Sequence, residues 1–242
     1  MKNRNNITVL SSFAEDVLLN ERGRILREQK GGPAFYIEAV FNQESIGYEI
    51  PFLCSIEVEI LLTKKGEFGR VKSKPDPIKL DWQSLKAPVV TISTILNEFN
   101  LIGIETYKGK VFLDIQGYVR DGSDFGKKKF LSMDVSNLFC VKGTKEEISY
   151  LPKDFVYKQK DRMLLVTNGS KGSVLYFKGY KFTAKPAKEI KSTDTIGAGD
   201  TFFAYFVVKF LQSNDQEESL KYATSKTTSF LSSKTHHHTN PF

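Results

Sequence analysis

Short apolar runs of strand length alternate along this chain with segments whose apolar residues return every three or four positions, an order that few folds accommodate. Residues 7–12, 88–92, 111–115, 138–141 and 163–167 read as buried strands. An Asn168-Gly169-Ser170 turn then leads into a further strand at 173–177. Gly31-Gly32-Pro33-Ala34 opens an amphipathic helix carrying Phe35, Tyr36, Ile37, Ala39 and Val40, with proline tolerated in the first turn. Apolar spacing predicts further helices at 95–107, about 144–151, 198–211 and roughly 215–232. Between 50 and 75 the period becomes two: Ile56, Val58 and Ile60 alternate with Glu57 and Glu59, and a Gly66-Glu67 turn follows, which reads as a hairpin. The expected fold class is α/β, a mostly parallel sheet covered by helices through right-handed crossovers.

Composition narrows the function classes. A chain of 242 residues with 40% hydrophobic content suits one globular unit. The net charge of +7 comes from Lys and Arg interspersed with Asp and Glu, and Lys127-Lys128-Lys129, the basic run, reads as a solvated turn without interleaved aromatics. No nucleic-acid partner is expected, although the basicity favours small anionic ligands such as nucleotides. Cys54 and Cys140 belong to no metal-spaced cluster and suggest no disulfide framework, which points to a reducing cytoplasm. The apolar run at 7–10 is too short for a signal peptide, and 202–211 is about half a membrane span and contains Lys209, so no membrane partner is expected. The three histidines, His236, His237 and His238, read as a frayed tail, which leaves little room for histidine catalysis.

One string concentrates chemistry: Ser192-Thr193-Asp194-Thr195-Ile196-Gly197-Ala198-Gly199-Asp200-Thr201-Phe202. Phe202, Phe206 and Phe210, with Phe203 and Val207 beside them, mark a buried helix whose first turn carries the glycines. Gly197 and Gly199 let backbone N–H groups approach a ligand where the helix start concentrates roughly half a positive charge. Asp200 among those donors reads as a general base for a hydroxyl attacking phosphorus; a plain Asp or Thr helix cap is the alternative. Asp16, in the connection after the first strand, is expected near the carboxyl edge where open α/β sheets hold ligands. A Walker A pattern is absent, which removes P-loop kinases from consideration.

The ordered set resembles the ribokinase, or PfkB, family of carbohydrate kinases. Asp194-Thr195-Ile196-Gly197-Ala198-Gly199-Asp200 matches its signature Asp-Thr-x-Gly-Ala-Gly-Asp at every fixed position. The segment 166–172 is similar to its Thr-x-Gly-x-x-Gly hairpin, and 142–147 to its Asn-x-x-Glu segment. Gly31-Gly32 and Asp16 match the sugar-side motif. The resemblance implies a ribokinase-like three-layer α/β/α sandwich, a single domain over 1–242, with a small β lid built from segments around 17–30 and 56–72. It implies transfer of the γ-phosphoryl group of ATP to a hydroxyl of a small sugar, polyol or nucleoside. Asp200 would be the base, and Ile196, Gly197, Ala198 and Gly199 would form the anion hole. Asp16, Gly31, Gly32 and Arg120 would face the acceptor, an exposed surface arginine being the alternative for Arg120. Lys142, Thr144, Thr167, Gly169 and Gly172 would lie along the nucleotide. Glu147 would act on Mg2+ through water, and Asp194 would help bind a monovalent cation such as K+ or cap the turn. A homodimer through the lid is implied as well. Thr144 stands at the Asn of Asn-x-x-Glu, Tyr36 at the substrate-side Asn after Gly-Gly, and the stretch between Gly47 and Ile56 is shorter than in relatives. A catalytically silent nucleotide- or sugar-binding regulator of the same fold is the alternative function.

Overall fold

The computed structural model describes residues 7–63, 66–73, 76–131, 138–190 and 194–237. All five residues of β1 (Ile7–Ser11) and of β7 (Val89–Ser93) are buried, as expected of strands covered on both faces. They pair in parallel, and β4 (Tyr48–Glu49) joins the free side of β1. On the other side follow β8 (Lys110–Asp114), β9 (Cys140–Thr144) and β10 (Leu164–Thr167), all parallel. Two antiparallel strands, β11 (Ser173–Phe177) and β12 (Tyr180–Ala184), complete an eight-stranded sheet in the order β12-β11-β10-β9-β8-β7-β1-β4.

Successive residues of these strands feed two different cores. Ile7, Val9 and Phe112 pack with α1 (Gly32–Gln43), α5 (Ala198–Ser213) and α6 (Gln216–His237) on one face. There Phe206 and Phe210 stack at 6.2 Å, and Phe210 meets Phe112 at 5.9 Å. Leu10, Val90 and Leu113 point to the opposite face, against Trp82, Phe99 and Phe155 of α4 (Lys153–Arg162). The architecture is therefore a three-layer α/β/α sandwich.

A second sheet rises from the first. Only Ser12 separates β1 from β2 (Phe13–Leu19), which pairs with β3 (Ile25–Gly31) and with β5 (Ser55–Thr63), and β6 (Gly66–Val71) closes the order β3-β2-β5-β6. Ala14, Ile56, Val58 and Ile60 bury one face against Ile95 and Leu96.

Several expectations change. Asp16 lies within β2 rather than in a connection. Residues 95–107 form no α-helix. The buried Glu98 carboxylate accepts from the Ile95 and Leu96 amides at 3.1 and 2.6 Å, Asn97 has a left-handed φ of 50°, and only a 3-10 turn, Ile104–Thr106, is regular. The helix expected at 144–151 is a single turn, α3 (Lys145–Ile148). The short helix α2 (Gln116–Val119), α4 and the edge strands β4 and β12 went unpredicted. Both cysteines are free and buried. Among the described residues no helix is long and apolar enough to cross a membrane. Ser192 and Thr193 and the histidine side chains lie outside the described residues.

Candidate active site

The first turn of α5 lies at the carboxyl ends of the parallel strands. Gly197 caps the helix with φ 78°, a left-handed value that favours glycine, and a side chain there would strike the Tyr36 ring of α1. The Ala198 amide closes the turn onto the Thr195 carbonyl at 3.0 Å. Asp200, three residues into the helix, is buried, and Ser93 at the end of β7 donates to its Oδ1 at 3.0 Å. Burial pushes the Asp200 carboxyl above its ordinary range, opposed by Lys142, the Ser93 hydroxyl and Arg120, and reinforced by Glu147.

Beneath this turn lies a buried ion pair. Lys142 on β9 places Nζ 2.6 Å from Asp114 Oδ2 at the end of β8, and both side chains are almost fully enclosed. A Cβ added to Gly199 would stand 3.1 Å from that ammonium, so the glycine is what lets Lys142 lie directly under the helix start. Burial works against the Lys142 charge, but Asp114, Glu147 and Asp200 outweigh it and hold its pKa above the ordinary value. Asp114 itself is pushed up to about 6 by burial, against the pull of Lys142.

Two cavities meet here. One, of about 400 Å³, is lined by Asp16, Gly32, Tyr36, Arg120, Gly197 and Asp200. The other, of about 380 Å³, is lined by Lys142, Thr144, Thr167, Gly169, Gly172 and Ala198. Gln116, Thr195 and Gly199 line both, so the helix start is the partition between them. A larger opening of about 1550 Å³ lies at the opposite, amino-terminal ends of the strands beside Val89 and Lys110, and none of the expected site residues lines it.

In the first cavity, burial raises the Asp16 pKa to about 6, a bond from Gln29 and the charge of Lys234 opposing. Gly31 leaves room for that carboxylate, which a Cβ would hit. Arg120 donates to the Ile95 carbonyl at 3.2 Å and lies 4.2 Å over the Phe125 ring. Burial lowers its pKa, with Glu147, Asp200, Asp114 and Glu98 opposing. Thr144, which lines the second cavity, and Glu147, which lines neither, form a reciprocal cap. The Glu147 amide donates to Thr144 Oγ1 at 3.1 Å, and the Thr144 amide donates to Glu147 Oε2 at 2.7 Å. Thr167 ends β10, and Gly169 and Gly172, with φ of 54° and 94°, shape the turn after it. Asp194 lies apart from both cavities' linings, its oxygens held by Arg27 at 2.7 Å and Lys234 at 2.8 Å. Among the described residues no three His, Cys, Asp or Glu side chains group as a metal cage.

Residues 137–229 match the family model described as pfkB family carbohydrate kinase. The matched segment is less than half of the chain and contains the 194–200 string. The chain's relatives include a ribokinase of Arabidopsis thaliana, 40% identical over 67 residues that make up 26% of this chain and 17% of the relative. An ATP-dependent ribose-1-phosphate kinase of Halopiger xanaduensis is 32% identical over 80 residues, 33% of this chain and 25% of the relative. The aligned segments thus span a quarter or less of these curated relatives. A pyrophosphate-dependent kinase in the ribokinase family superposes with a TM-score of 0.68 at 19% identity, over 92% of this chain and 94% of that one, a likeness of fold.

Gly197, Ala198, Gly199 and Asp200 of the 194–200 string come together with Asp16, Gly32, Arg120, Lys142, Thr144, Thr167, Gly169 and Gly172 around the two joined cavities. Sequence reasoning missed Ser93, Asp114, Arg27 and Lys234. Ser93 and Asp114 carried a usable signal, a polar residue ending an otherwise apolar strand; Arg27 and Lys234 carried none.

Proposed function

We propose that this protein is a kinase that transfers the γ-phosphoryl group of ATP to a hydroxyl of a small sugar, polyol or nucleoside. The observation that carries the reading is Asp200, buried at the helix start where the two cavities join. The acceptor hydroxyl would lie in the cavity of Asp16 and Arg120, and the triphosphate in that of Thr144 and Thr167. As the hydroxyl oxygen attacks phosphorus, its proton passes to Asp200 and the bond to the ADP oxygen breaks. The Ile196 and Ala198 amides being taken by Asp194 and the Thr195 carbonyl, the backbone N–H groups of Gly197 and Gly199 and the Lys142 ammonium would face the charge that builds on the phosphoryl oxygens. A raised Asp200 pKa makes its carboxylate a stronger base than an exposed one.

Mg2+ on the triphosphate would neutralise part of its charge. Glu147, oriented by its cap with Thr144, is the residue suited to act on the ion through water, since Mg2+ keeps several of its waters. The chain is read as one kinase unit in which the second sheet serves as a lid: Val58, Ile60 and Phe68 roof the acceptor cavity and would exclude water that competes for the phosphoryl group. The edges of that sheet are proposed to pair two copies, and the free thiols fit a cytoplasmic location.

The test is turnover of ATP against a panel of sugars, polyols and nucleosides. Asp200→Asn is expected to lower the acceptor-dependent rate by roughly 10² to 10⁴ while leaving nucleotide affinity in place. Equal rates for the wild type and Asp200→Asn with every acceptor would leave the second reading, a silent binding protein. That reading is favoured by the Tyr36 ring, which lies against Gly197 and narrows the space above the turn.

A further inference from the structure

The resemblance gives Asp194 a monovalent cation, yet its surroundings already hold cations that belong to the chain. Lys234, in the last turn of α6, places Nζ 2.8 Å from Asp194 Oδ1 and 2.7 Å from the Ile196 carbonyl oxygen. Arg27, on β3, donates from Nη2 to the other carboxylate oxygen at 2.7 Å. The Ile196 amide also donates to Oδ1 at 3.2 Å, so the carboxylate and the turn are tied at both ends. The Phe230 and Tyr36 rings lie 5.2 and 5.9 Å from the ammonium, and Tyr36 is the ring that rests on Gly197.

A potassium ion at this carboxylate would meet two fixed positive charges and a carbonyl oxygen that is already engaged. The donor set does not fit it. An ammonium group matches K+ in charge and is close to it in size, and it reaches the same kind of oxygen ligands. The arrangement also differs from an exposed ion pair. Asp194 is only 3% exposed and its carboxyl is acidic: burial pushes its pKa up, but the Lys234 bond and charge, the Ile196 amide and Arg27 bring it below the ordinary value.

We propose that Lys234 is a positioning residue whose ammonium takes the place of a monovalent cation, holding the 194–199 turn in the shape that aims its Gly197 and Gly199 N–H groups at the phosphoryl position without K+. Arg27 extends the same carboxylate to the second sheet, so the lid and the turn share one anchor.

The consequence for turnover rests on the kinase reading; the order of the turn does not, and amide hydrogen exchange across 195–201 reads it directly. Wild-type protein is expected to exchange at the same rate in potassium chloride and in choline chloride of matched ionic strength. Lys234→Met should exchange about tenfold faster in choline chloride and return toward the wild-type rate in potassium or ammonium chloride. Should that variant not fold, Lys234→Gln is measured in the same way. Severalfold slowing of the wild type by K+, a Lys234 variant indistinguishable from wild type, or a variant that exchanges fast in every salt would each overturn the proposal. Failure to phosphorylate any acceptor would remove the kinase reading and leave the exchange result standing. A wild type that K+ activates, with Asp200→Asn inert, would keep the kinase reading and remove this one.

Discussion

Asp16 shows how a buried carboxylate is held at a cost to stability. Its side chain is enclosed, and Oδ2 has no hydrogen-bond partner among the described residues. Desolvation raises its pKa from 3.8 to about 6, so the folded protein holds the proton more tightly than the unfolded chain does. The sign follows from that direction. Because the folded pKa exceeds the unfolded one, the contribution of Asp16 is fully present below about pH 4 and is lost as pH rises through about 6. Asp16→Asn, neutral at every pH, is expected to be more stable than wild type at pH 7 by about 1–3 kcal/mol, with the difference closing by about pH 4. Urea unfolding at the two pH values checks this. The same variant should bind the acceptor more weakly, because a carboxylate accepts hydrogen bonds from a diol and an amide matches that pattern poorly. A stability difference that does not change between the two pH values would remove the assignment of an ionised, desolvated Asp16.

Among the elements, α3 depends most on a single side chain. It is one turn long, and the reciprocal bonds between Thr144 and Glu147 satisfy its first donors. Thr144→Ala is expected to cost about 1 kcal/mol in thermal or urea unfolding and to release Glu147, whereas Thr144→Asn should fall within a few tenths of wild type. Asparagine and threonine cap alike, so either residue at position 144 serves this local geometry. The same scale explains what could be read in advance. The parallel strands were legible because burial on both faces leaves continuous apolar runs. Residues 95–107 misled because Leu96, Phe99, Leu101 and Ile104 are buried by an irregular chain wrapped around Glu98, and burial alone mimics a helical period. The helix α4 was missed because Gln159 is its one buried residue and its remaining positions are mostly charged. At the site, the 194–200 string was legible because its geometry is local. Ser93 reaches Asp200 from 107 residues away, and Lys234 and Arg27 reach Asp194 from 40 and 167, distances at which no spacing rule operates.

At the scale of the whole molecule, the two sheets differ in how their edges are managed. In the large sheet, β4 is only two residues long, which leaves little template at that edge for another strand. The second sheet has longer edges, with charge supplied on β3 by Arg27, Glu28 and Lys30. Its outer strand β3 is seven residues long, and all but its last residue are exposed or half-exposed. Ile25 and Leu26 on that strand are 61% and 55% exposed, and Phe68 on the opposite edge strand is 46% exposed. A long edge with apolar side chains invites pairing with another strand, and a second copy of the same sheet supplies one with a closed, two-fold geometry. The protein is therefore expected to sediment as a dimer at micromolar concentration, and Ile25→Lys with Leu26→Lys to sediment as a monomer with its thermal midpoint little changed, since neither side chain belongs to a core. Arg27 lies one residue beyond this pair and binds Asp194, so pairing through β3 would also bear on the order of the 194–199 turn. The charged double variant should consequently lose part of its turnover along with its partner. A wild type that remains monomeric across the micromolar range would separate the second sheet from any role in assembly and leave β3 as a strand held in place by Arg27 and β2 alone.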